Sequence, residues 1–213
     1  MTEVRLKEKF HAWRKEVWEH KHLILLSLVF LAIAAVLQYL AGTYTARIET
    51  APVPDLILDH INPINLGLIF GYGFMLVIIF LFGYPLFYKV KELHIVVSQF
   101  CLLVVLREFF VCLTHLQVPA GAILVKFPGV VSLISFQNDL FFSGHTAVPF
   151  LGYLLFRKAK IGIFFLIASI VMAVTVLLMH AHYSIDVFSA FFITYGSYKI
   201  GEWLFKRVDK EEK

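Results

Sequence analysis

Six long apolar runs dominate this chain, at about 23 to 41, 66 to 83, 93 to 113, 141 to 156, 161 to 179 and 183 to 203. Each approaches the roughly 20 residues a helix needs to cross about 30 Å of hydrocarbon. In that solvent every backbone N–H and C=O must find its partner inside the protein, and runs of this length do so as helices. The apolar residues are continuous rather than striped at a period of 2 or 3.6, and 60% of the 213 residues are hydrophobic. The sequence therefore predicts an all-α integral membrane bundle of six transmembrane helices over residues 23 to 205. A basic segment (1 to 22) precedes it and a charged tail (206 to 213) follows.

Residues 1 to 22 read as an interfacial amphipathic helix, since Leu6, Phe10, Trp13 and Val17 recur at helical spacing among Lys7, Lys9, Arg14 and Lys15. A cleaved signal peptide is the competing reading, but the apolar run that follows is long and offers no clear small-residue cleavage pair. Of the 19 Lys and Arg, 16 precede the first run, lie at Lys89 and Lys91 or at Arg157, Lys158 and Lys160, or cluster near the C-terminus. Arg47 and Lys126 occupy the opposite loops, and Arg107 lies inside the third run. This positive-inside bias predicts cytoplasmic termini, with loops 42 to 65 and 114 to 140 and the turn near 180 on the other face. The net charge of +4 then belongs to a rim facing anionic lipid, and nucleic acid is not an expected partner.

Cys101 and Cys112 are 11 residues apart in one helical run, too far for a disulfide, and read as small core residues. No cysteine or histidine spacing of metal-binding type occurs, so neither metal nor cofactor is expected. In the first outer loop Pro52 and Pro54 flank an extended stretch, and Asp55 is suited to cap a short helix. The 114 to 140 loop carries Pro119, Gly121, Pro128 and Gly129 yet is apolar, as expected of a segment dipping into the interface or covering a cavity.

Ionisable residues collect at two places of equal outer depth. One is Asp139, Ser143, Gly144 and His145 at the start of the fourth run; the other is His180, His182 and Asp186, leading into the sixth. On a helix His182 and Asp186 share a face one turn apart, so the carboxylate can hold one imidazole nitrogen and leave the other to attack phosphorus. His145 is then a second imidazole able to protonate the departing oxygen. Ser143 and Gly144 allow close backbone approach at a helix N-terminus, where free N–H groups attract a phosphate. Arg107, costly inside a membrane, reads as a phosphate clamp or as the partner of Glu108 or Asp186. Asp139 divides between a helix cap and an orienting group, and Asp55 between a turn residue and a substrate-side carboxylate. His180 reads as a neighbour of the site rather than a catalyst.

Phe142 to Thr146 (Phe-Ser-Gly-His-Thr) and His182 to Val187 (His-Tyr-Ser-Ile-Asp-Val) resemble the sphingomyelin synthase branch of the type-2 phosphatidic acid phosphatase and lipid phosphotransferase superfamily. Pro52-Val53-Pro54-Asp55, and Arg107 with Thr114 and Pro119, are similar to two further motifs of that branch, so the likeness runs in order over about residues 50 to 200. It implies six spans, metal-independent transfer through a phosphohistidine at His182, and a site on the lumenal or periplasmic side. Departures are Gln137 and Asn138, where that branch has cysteine and glycine, and Ser184, where threonine is usual. Thr175 and Val176 replace the Ser-Arg pair of typical phosphatases in the wider superfamily.

The expected activity is transfer of a phospho head group from a glycerophospholipid to a lipid hydroxyl such as ceramide or diacylglycerol. The alternative is a hydrolase with the same first half-reaction and water as acceptor. A helix bundle in which His145, His180 or His182 binds haem or relays protons is the reading from a different class.

Overall fold

The computed structural model describes residues 3–125 and 140–211, with side chains described over 7–125 and 140–205. Among the described residues the chain is helical and contains no strand. Its α-helices are α1 (Glu3–Glu19), α2 (Lys21–Thr45), α3 (Phe74–Tyr88), α4 (Val90–Leu113), α5 (Gly144–Phe156), α6 (Ile161–Leu178) and α7 (Ser184–Glu211). A π turn at Ile69–Gly73 leads directly into α3, and a 3-10 turn at Leu58–His60 interrupts the loop between α2 and α3.

Four stretches are long and apolar enough to cross a membrane: Lys21–Thr45, Ile69–Tyr88, Val90–Leu113 and Ile161–Leu178. All four were expected from the apolar runs. Helices also stand at the fourth and sixth expected spans, but α5 has 13 residues, about 20 Å at 1.5 Å per residue. Large apolar side chains stand exposed along α2 (Leu25, Val29, Ile33), α3 (Ile79) and α6 (Ile163, Ile167, Ile170). Water would penalise so much apolar surface, whereas lipid does not. Helix α1 forms where the basic segment was expected. Phe10 and Trp18 are exposed, while the Trp13 indole N–H donates to the carbonyl of Leu86 at 2.7 Å and ties α1 to the end of α3.

The main core lies among α3 to α7, around Leu81, Leu103, Leu151, Phe165 and Ala190. Since lipid is as apolar as leucine, close packing and interhelical hydrogen bonds hold such a bundle. The α5–α6 seam uses both. Gly152 admits the Phe165 ring so closely that a Cβ there would lie 2.5 Å from it, and Ser169 Oγ donates to the carbonyl of Thr146 at 3.0 Å. Helix α2 packs on α4 through Ala34 against Val97 and Cys101. Both cysteines are free thiols; Cys101 is buried as expected, but Cys112 is only half-buried.

Candidate active site

The expected site residues begin two helices. Ser143 is the N-cap of α5 and lies fully buried at extended φ and ψ, yet its side chain makes no capping bond; its Oγ instead accepts from Thr146 Oγ1 at 3.3 Å. The first intrahelical donor there is Ala147 N–H, to the carbonyl of Ser143, so the amides of Gly144, His145 and Thr146 precede the helical ladder. An uncapped helix start of this kind is a natural anion cradle.

Helix α7 is capped differently. Asp186, its third residue, reaches back so that Oδ2 accepts the Tyr183 N–H at 3.0 Å, the reverse half of a capping box. Asp186 is fully buried, and among the described residues its Oδ1 has no hydrogen-bond partner. His182 Nδ1 lies 3.5 Å from Oδ2, an ion-pair separation with no hydrogen bond formed. The expected proximity is present, but not on one helix face: His182 lies ahead of α7, which begins at Ser184, and the turn into that helix sets the imidazole at this distance from the carboxylate.

The two motifs meet through the main chain. Ser143 N–H donates to the carbonyl of Asp186 at 3.1 Å, joining the start of α5 to the start of α7. His145 lies within electrostatic reach of both His182 and Arg107. The Phe70 ring stacks on its imidazole at a centroid distance of 4.0 Å and the Phe74 ring lies tilted against it at 4.3 Å, and among the described residues its buried Nε2 has no partner. Neither phenylalanine was expected in the site, and nothing in the sequence distinguishes them from the other 20 of 22.

Arg107 reaches the same place from α4. Its Nε donates to the carbonyl of Phe142 at 2.9 Å, Nη1 lies 3.3 Å from Glu108 Oε1, and its guanidinium packs against Gly144, where a Cβ would stand 3.4 Å from Nε. The pairing with Glu108, one of the sequence alternatives, is therefore present. It leaves the guanidinium beside the α5 N-terminus.

Asp55 has a full set of protein partners. Oδ1 accepts from Ile57 and Leu58 N–H at 2.9 and 3.1 Å, capping the 3-10 turn as expected, and Oδ2 accepts Ser184 N–H at 2.7 Å and Ser184 Oγ–H at 2.9 Å. Burial by itself raises its pKa, but the donors from Leu58, Ser184 and Ile57 outweigh burial and hold it below the ordinary 3.8. These contacts tether the α2–α3 loop to the first residue of α7. Tyr183 strengthens the tether, donating its O–H to the carbonyl of Gln117 at 2.9 Å and accepting Val53 N–H at 3.0 Å. The Ser184 that departs from the usual threonine thus retains a hydroxyl in use. Asp139 lies outside the described residues.

His180 occupies an unexpected conformation. It stands at φ 54 in the position after the α6 C-cap, with His180 N–H bonded to the Leu177 carbonyl and Ala181 N–H to that of Val176, the pattern usually built on glycine. Its Nδ1 meets the carbonyl of Ala120 at 2.9 Å and must carry the proton, while among the described residues its buried Nε2 has no partner. With Ile64 N–H on the Leu178 carbonyl and Ile123 N–H on that of Met179, the α2–α3 loop and the segment after α4 are both fastened to this turn.

One comparison bears directly on the two helix starts. Residues 138–202 match the family described as PAP2 superfamily C-terminal. The matched segment contains Ser143, Gly144, His145, His182 and Asp186. The match supports the type-2 phosphatidic acid phosphatase superfamily, and with it lipid phosphatase or phosphotransferase chemistry, without extending to the sphingomyelin synthase branch. No curated protein and no solved structure matches the chain.

Proposed function

We propose that the chain is a six-span membrane enzyme that moves a phospho head group from a glycerophospholipid to a lipid hydroxyl through a phosphohistidine. Helix α1 lies on the cytoplasmic surface, and the active site opens on the other face. The observation that carries this reading is the convergence of His145, His182 and the Arg107 guanidinium on the uncapped start of α5.

The phosphate sits at the first-turn amides of α5, beside Arg107, where oriented N–H groups stabilise the charge that builds on its oxygens. His182 Nε2 attacks phosphorus in line, the P–O bond to diacylglycerol breaks, and its electron pair leaves with that oxygen. His145 supplies the proton. As His182 gains positive charge, the Asp186 carboxylate closes the 3.5 Å gap and stabilises the imidazolium. In the second half-reaction neutral His145 takes the proton of the acceptor hydroxyl, whose oxygen displaces His182 from phosphorus. Asp55 and Tyr183 are positioning residues that hold the start of α7.

A hydrolase is the second reading, favoured by the phosphatase family that residues 138–202 match. It shares every step until water replaces the lipid hydroxyl.

One assay tests both. The purified enzyme is incubated with phosphatidylcholine or phosphatidylethanolamine labelled in the head group, with and without ceramide or diacylglycerol, and phosphohistidine is sought after alkaline quench. Label in a new lipid supports transfer, and label in water-soluble phosphate or phospho-alcohol supports hydrolysis. Turnover that survives His182→Ala in a folded protein would overturn the nucleophile.

A further inference from the structure

Phe70 lies inside the π turn and Phe74 begins α3, a spacing of four that sets both rings on one side of the helix. That side meets His145. The ring centroids stand 4.0 Å from the imidazole for Phe70, at an interplanar angle of 24°, and 4.3 Å for Phe74, at 40°. Behind them the packing is apolar. Phe70 is buried together with Val176 of α6, Met179, and Val187 of α7. Its N–H donates to the Leu66 carbonyl at 3.0 Å, so the π turn is bonded to the residues before it. Widened turns of this kind recur at functional sites.

The two histidines of the site are held by different means. His182 Nδ1 has the Asp186 carboxylate 3.5 Å away. The buried Nε2 of His145 has no partner among the described residues, so neither a carboxylate nor a carbonyl there orients the ring through that nitrogen. Carbon orients it instead. Stacked and tilted aromatic contacts have preferred geometries and fix the plane of an imidazole as a hydrogen bond would. Their carbons lie near the contact optimum of about 3.5 to 4.0 Å. A water molecule, on the order of 2.8 Å across, has no volume between such rings.

That exclusion bears on the second half-reaction. There the base takes the proton of an O–H while its oxygen bonds phosphorus, and the P–N bond to His182 breaks with the electron pair returning to the imidazole. Water and a lipid hydroxyl balance this step equally well. Water is the smaller of the two, so a pocket cannot reject it by size. It is kept out only where it finds no volume beside the base.

We propose that Phe70 and Phe74 set the acceptor of the reaction: packed on His145, they hold its imidazole for a lipid hydroxyl and deny water a place beside it. They are positioning residues, touching the base and not the reacting atoms, and the assignment rests on the phosphotransferase reading.

The test measures how one intermediate divides. The full chain in mixed micelles is given phosphatidylcholine or phosphatidylethanolamine labelled in the head group, with ceramide and with a diacylglycerol whose acyl chains differ from the donor's. Label in new lipid is divided by label in water-soluble phospho-alcohol. Both products leave the same phosphohistidine, so this quotient does not depend on how much of a variant is folded. Lipid product should predominate in the wild type. Alanine removes a ring and admits water, each molecule needing about 30 Å³, so Phe70→Ala and Phe74→Ala should each lower the quotient about tenfold. Phe70→Leu and Phe74→Leu refill most of that volume with carbon and should stay within about threefold of the wild type. A wild-type quotient in both alanine variants overturns the aromatic shield and leaves the transferase reading standing. Label released only to water by the wild type overturns the transferase reading, and the shield falls with it.

Discussion

Ser143 donates its backbone N–H to the backbone carbonyl of Asp186 at 3.1 Å, so the helix that carries His145 and the helix that carries the Asp186 carboxylate start from a common hydrogen bond. A main-chain bond holds this junction whatever the side chains do. Site variants can therefore be read as chemistry rather than as collapse. Asp186→Asn is the sharpest of them. Asparagine keeps a carbonyl oxygen for the Tyr183 N–H, so the α7 cap survives while the charge facing His182 is lost. Turnover should fall on the order of 10³-fold with thermal stability nearly unchanged, read from kcat and a melting curve in the same detergent. Wild-type turnover would remove Asp186 from the mechanism.

His145→Gln should slow the reaction by about 10² to 10⁴-fold with natural lipids, as expected of a lost general acid. A substrate with a nitrophenolate leaving group needs no protonation, so its cleavage should be slowed far less. Equal losses for both substrates would assign His145 to binding instead.

The Asp55 tether has a pH signature. Its folded pKa is depressed below 3.8, so the stabilisation is fully present above that value and disappears as pH falls through the lower folded value. Melting temperature should therefore drop on acidification below about pH 4, and Asp55→Asn, with one oxygen for four donors, should melt lower at neutral pH and lose less on acidification. Parallel curves for the two proteins would show that the carboxylate charge contributes nothing.

Gly152→Ala tests the seam that seats α5. The added methyl would stand 2.5 Å from the Phe165 ring, which is fully buried and has no open space to enter. Overpacking of this kind costs about 1 to 3 kcal/mol. A variant as stable as the wild type in denaturant titration would mean that the α5–α6 contact relaxes freely.

Much of this molecule was legible in its residues. Apolar runs located α2, α4, α5 and α6 to within a few residues, because hydrocarbon tolerates only segments that satisfy their own backbone; α3 with its leading π turn and α7 run further toward the C-terminus than their apolar runs. The 182 to 186 spacing anticipated an imidazole near a carboxylate, but on a shared helix face; His182 instead lies ahead of α7, and the turn into the helix brings it to Asp186. Arg107 was legible only as alternatives. Its partner was decided by Glu108 and the Phe142 carbonyl, and the latter lies 35 residues away.

Tertiary contact alone decided the rest. The Asp55 carboxylate meets Ser184 across 129 residues, His145 sits against Phe70 and Phe74, and the α6–α7 turn places His180 where glycine is usual. These relationships depend on which helix faces meet, and a face inside a membrane bundle is chosen by shape and hydrogen bonding rather than by polarity. A uniformly apolar helix declares that it crosses. It does not declare which side turns inward.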